Sequence, residues 1–143
     1  MNEVIIDNWN SRVNKKDTVY HLGDFGFGDV SKIVKRLNGK IVLCLGDHDK
    51  SALSCKELFE KVTPLLNTKL GNTYITLCHW QMKVWAKSHY NSWNLYGHSH
   101  NKSTPEGKSF DVGVDCWDFK LLSQDQVTDI MSDRPDNFNL VRR

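Results

Sequence analysis

Two short apolar runs in this chain end in the same way. "TVYHL", Thr18 to Leu22, runs straight into Gly23-Asp24, and "IVLCL", Ile41 to Leu45, runs into Gly46-Asp47-His48-Asp49. Runs of this length, rich in β-branched and aromatic residues, predict buried strands. Between them, Val30, Ile33, Val34 and Leu37 keep the three-to-four-residue step of a helix, and Asn38-Gly39 supplies its stop. Strand, polar corner, helix, strand, polar corner is the rhythm of an α/β fold. In such folds the polar corners gather at one edge of a sheet, where ligands bind.

The remaining elements follow from the same patterns. Ile5, Trp9 and Val13 stand four apart and predict an amphipathic first helix, broken at Lys15-Lys16-Asp17. A short helix is expected from Ser54 to Val62. Gly71-Asn72 marks a turn between Leu65–Leu70 and Thr73–Cys78, the signature of a hairpin. Phe110, Val112 and Val114 alternate with other residues, the period of a half-buried strand. Ser123 and Gln126 form a capping-box pair, which predicts a last helix through about Met131. Residues 1–132 therefore read as a single domain, and 133–143 as a loosely held polar tail.

Bulk properties exclude several classes. At 143 residues with 39% hydrophobic and 25% charged side chains, the chain can bury a core of its own. A net charge of +2 is too small to argue for nucleic acid on its own. No run approaches the length of a membrane span, and "MNEVIIDNWN" lacks the apolar core of a secretion signal. Cys44, Cys55, Cys78 and Cys116 are scattered and form no C-x-x-C pair; we read them as reduced thiols of a cytoplasmic protein.

The chemistry is concentrated at the strand ends: Asp24, Asp47, His48, His79, His98 and His100. Carboxylates packed this closely repel one another unless a cation or a proton intervenes. Asp offers hard oxygen and His offers imidazole nitrogen, a mixture that suits Mn, Fe, Zn, Ni or Co. In "GHSH", Gly97 to His100, the two histidines converge if the segment is a strand and diverge to neighbouring ions if it is a turn.

The order "GD" at 23–24, "GDHD" at 46–49, His79 after a strand and "GHSH" at 97–100 resembles the motif series of the calcineurin-like metallophosphoesterases. "VDCWDF" around Cys116 is similar to small bacterial and phage members. The resemblance implies a two-sheet β-sandwich flanked by helices and a metal-dependent phosphohydrolase. Asp24 would bridge two divalent ions, Asp47, His79 and His98 would complete one site, and His100 would belong to the other. His48 would serve as general acid toward the leaving oxygen or steady the phosphoryl oxygens. The expected substrate is a phosphodiester, nucleotide-like, attacked by water activated at the metal, with manganese the first choice of ion. The alternatives are a metal-binding scaffold without turnover and a nuclease; a monomer or a homodimer would fit either.

The pattern departs from the family in two places. Asp47 stands where the family has Asn, adding negative charge beside Asp24; this favours a bound cation and disfavours an anionic phosphate. No D-x-H precedes Asp24, so the family's first strand is missing, and with it two ligands of the His100 site. That leaves an expected gap in a sheet. The favoured expectation is a truncated or shortened member; the alternatives are a one-metal form and another chain filling the gap.

Other residues carry plainer expectations. His21 should be a packed strand histidine, His89 a solvated loop histidine, and Asp49 an organiser of its own turn. Trp80, Trp85, Tyr90, Trp93 and Tyr96 either pack a loop or offer a stacking platform, with Lys83 and Lys87 interleaved.

Overall fold

A computed structural model describes residues 3–26, 28–98 and 102–142. They form a mixed α/β fold with two sheets. Helix α1 (Glu3–Arg12) leads into β1 (Thr18–His21), α2 (Val30–Val34), β2 (Lys40–Cys44), α3 (Lys50–Leu53) and β3 (Lys61–Thr63). These strands pair in parallel in the order β1-β2-β3. The hairpin β4 (Leu65–Leu70) and β5 (Thr73–Cys78) then starts a second sheet, which β6 (Trp93–Tyr96) and β7 (Ser109–Asp111) extend in parallel. Helix α4 (Gln124–Ser132) opens on a complete capping box between Ser123 and Gln126.

Two cores hold the layers together. On one face of the first sheet, Ile41 and Leu43 of β2 pack with Ile6 and Trp9 of α1 and with Val30 and Val34 of α2. On the other face, Cys44 joins Ile75 and Leu77 of β5, Leu95 of β6, and Val127 and Met131 of α4. Strand β2 is thus buried on both faces, which is why its sequence is an unbroken apolar run. The second sheet carries a polar row across all four strands, with Asn67, Thr76, Asn94 and Ser109 in register. Thr76 donates to Asn67, and Ser109 donates to Asn94, so the row is internally satisfied.

Three expectations change. The helix predicted over Ser54–Val62 gives way to α3 and a 3-10 turn at Lys56–Leu58, because Val62 pairs with Leu43 in β3; sheet pairing overrides local helix propensity. Phe110 lies in the fully buried β7, while Val114 begins a 3-10 turn, so the alternation does not mark one long strand. The tail beyond residue 132 is fastened rather than loosely held. Buried Asn137 accepts from the Lys108 backbone N–H and donates to the carbonyls of Ser88 and Ser92. The Lys108 ammonium also donates to the carbonyls of Met131 and Arg134.

Strand β1 stands at the edge of its sheet. Its free side lines a cavity of about 1260 Å³ between α1, the second sheet and α4, bordered by Trp9, Tyr20, Leu77, Leu95 and Val127. The cavity also reaches Asp24, His79 and His98.

Candidate metal centre

All the residues singled out at strand ends that the structure describes lie just beyond the carboxyl ends of parallel strands. Asp24 follows β1, Asp47 and His48 follow β2, His79 follows β5 and His98 follows β6. Since the two sheets stack, those four ends meet. One ligand atom each from Asp24, His79 and His98 falls within 4.8 Å of the others.

The buried member, His79, sets the chemistry. Its Nδ1 lies 2.6 Å from the Leu22 carbonyl, which can only accept, so Nδ1 carries the proton. The lone pair of the neutral ring is then on Nε2, which points at His98 Nδ1, 3.0 Å away, and at Asp24 Oδ2, 3.4 Å away. A histidine whose far nitrogen is anchored on a carbonyl is the arrangement that orients imidazole toward a metal. His98 Nδ1 in turn lies 3.7 Å from Asp47 Oδ2, which brings the second carboxylate to the edge of the cluster. One oxygen donor and two nitrogen donors, with a further carboxylate alongside, fit a divalent transition ion. Nothing else among the described residues gathers three such groups.

The backbone is strained to make this cluster. Asp24 has φ 53° and His98 has φ 62°, left-handed values that residues other than glycine seldom adopt. Strain of this kind persists where the surroundings over-determine it, and it gathers at functional sites. At Asp24 the determinant is Asp49. Its buried carboxylate accepts from the backbone N–H groups of Asp24 at 2.9 Å, Phe25 at 2.6 Å and Gly46 at 2.7 Å. It staples the corner after β1 to the corner after β2. Gly46 leaves room for this: a Cβ there would stand 2.6 Å from Asp24 Oδ1 and 2.9 Å from His79 Cε1.

The other residues singled out from the sequence divide as follows. His48 is exposed, and its backbone N–H donates to Asp24 Oδ1 at 2.9 Å. His100 lies outside the described residues. His21 packs between Trp9 and Phe25, accepts from the Gly23 N–H, and burial pushes its pKa down to about 4. Among the loop aromatics, Trp85 and Tyr96 are buried, while Trp80 is exposed against His79 and His98. Lys83 and Lys87 turn to other partners: Lys83 to Glu106 and the Phe138 ring, Lys87 to the Tyr74 ring. Sequence reasoning missed the Leu22 carbonyl, because a backbone acceptor leaves no mark in residue type. It foresaw Asp49 only as an organiser of its own turn; the extra aspartate in "GDHD" was the available signal.

No family model matches the chain. It is 26% identical to an uncharacterized protein of Methanocaldococcus jannaschii, a similarity covering 92% of this chain and 75% of that one. A crystal structure of a protein of unknown function from Aquifex aeolicus has the same fold, with a TM-score of 0.69 at 24% identity, covering 89% of this chain and 83% of that one. No helix among the described residues is long and apolar enough to cross a membrane.

Proposed function

We propose that this chain is a divalent-metal-dependent phosphoesterase of the calcineurin-like kind, acting on phosphodiesters. The observation that carries the reading is the convergence of His79 Nε2, His98 Nδ1 and Asp24 Oδ2 from strand ends of two different sheets, with His79 fixed in the ligating tautomer. Asp24, His79 and His98 would hold the ion, with Asp47 beside them. A divalent cation there would neutralise phosphoryl oxygens and lower the pKa of water. His48, exposed and tied through its backbone to Asp24, is suited to give a proton to the leaving oxygen. Two carboxylates at the cluster repel a dianionic monoester more than a monoanionic diester, which favours the diester.

A second reading, a metal-binding scaffold without turnover, draws on the edge position of β1 and on a cluster of three close donors among the described residues. The two separate in one assay. Bis-p-nitrophenyl phosphate and p-nitrophenyl phosphate are supplied with Mn²⁺, Ni²⁺ or Zn²⁺ to the native chain, His48→Ala and His79→Ala. Metal-dependent release, faster on the diester and lost in both variants, supports the enzyme. Silence with every metal from a folded, metal-binding chain supports the scaffold. Cleavage of single-stranded DNA or RNA under the same conditions would make the enzyme a nuclease.

A further inference from the structure

Trp80 is an aromatic residue that the fold leaves largely uncovered. It directly follows His79, and it is 41% exposed, although a residue this large is ordinarily well covered. Its ring makes a T-shaped contact with the His79 imidazole, with centroids 5.1 Å apart at 85°, and lies 6.4 Å from His98 at 53°. Part of the ring therefore rests against the candidate metal centre while much of it stays open to solvent.

The neighbouring aromatics are accounted for in other ways. Trp85 is buried and donates to the Ser92 carbonyl, and Tyr96 is fully buried at the end of β6. Tyr90 is exposed but lies against its neighbour His89, with centroids 4.1 Å apart. The backbone after Trp80 is held in place: Gln81 donates from its side chain to the Thr104 carbonyl, and the Met82 N–H donates to Asn94. The indole is thus a partly open, flat surface next to the place where a phosphate would sit.

We infer that Trp80 stacks a planar aromatic group of the substrate, so that the site selects phosphate esters carrying a nucleobase or an aryl group. The inference rests on the proposed phosphoesterase reading and names its substrate class. An indole face attracts any base through its π surface, without sequence readout. Lys83 and Lys87 are engaged away from the centre, so neither of them extends the platform as a basic track. A single nucleotide unit fits this arrangement better than a long polyanionic strand.

Binding tests this without needing turnover. The methyl diesters of adenosine 5′-monophosphate and of ribose 5-phosphate share a monoanionic phosphodiester and a sugar and differ by the base. Their affinities are measured calorimetrically with Mn²⁺ for the native chain, Trp80→Ala and Trp80→Phe, alongside the affinity for Mn²⁺ itself. The expected result is about a tenfold preference for the nucleotide in the native chain. That preference should fall to about one in Trp80→Ala and be largely kept in Trp80→Phe. Equal affinities in the native chain, or a preference untouched by Trp80→Ala, would overturn the stacking role and leave the phosphate site standing. Failure of both diesters to bind the native chain would overturn the stacking role together with the phosphoesterase reading.

Discussion

The Asp49 carboxylate accepts the Asp24 backbone N–H at 2.9 Å, across a separation of 25 residues. A candidate ligand is thereby held in its left-handed conformation by a carboxylate that is itself no part of the three-donor cluster. The same side chain takes the N–H groups of Phe25 and Gly46, so three backbone donors depend on one acid. In Asp49→Asn an amide NH₂ would face at least one of those donors. The variant should lose about 2 kcal/mol in urea unfolding. It should also bind Mn²⁺ about tenfold more weakly in calorimetric titration.

Gly46→Ala tests the cluster by crowding rather than by removing a bond. The added methyl would press on the Asp24 carboxylate and the His79 ring, which share that space. The Asp24 backbone N would also stand 2.8 Å from that methyl, so the corner itself must shift, and the variant should lose stability in urea unfolding as well as metal affinity. A loss of about 10- to 100-fold in Mn²⁺ affinity is expected, the range typical of disturbed ligand support.

The sequence made the strand ends legible because each departs sharply from an apolar run: Gly23-Asp24 after Leu22, and Gly46-Asp47 after Leu45. The hairpin and the capping box were legible too, since both rest on local backbone chemistry. What lay hidden depends on distance in the chain. Val62 reads as helical until Leu43 is found beside it. Asn137 reads as a tail residue until Ser88, Ser92 and Lys108 surround it. The tautomer of His79 is set by a carbonyl 57 residues away, which residue type does not encode.

Asn137 gives the tail a measurable role. Removing its amide would leave the Lys108 N–H and the carbonyls of Ser88 and Ser92 without that partner in a buried place. Asn137→Ala should therefore cost about 2–3 kcal/mol in chemical denaturation. A surface-tail substitution would change stability by less than about 0.5 kcal/mol.

His21 gives the fold a pH dependence of known sign. Burial lowers its pKa from 6.5 to about 4, so the unfolded chain takes up a proton before the folded chain does. The neutral ring's contribution is complete above pH 6.5 and is lost as pH falls toward about 4. The drop attributable to this group should approach about 3 kcal/mol. In thermal unfolding across that window, His21→Phe should lose less stability than the native chain.

The central claim is that Asp24, His79 and His98 share one divalent ion. Crystals of the native chain soaked in Mn²⁺ and measured on the low-energy side of the manganese edge and again above it give the direct test. An anomalous peak appearing above the edge, within bonding distance of His79 Nε2 and Asp24 and absent from His79→Ala crystals, is the predicted result. A fully soaked crystal with no peak among these three residues, or with manganese bound only elsewhere, would contradict the account.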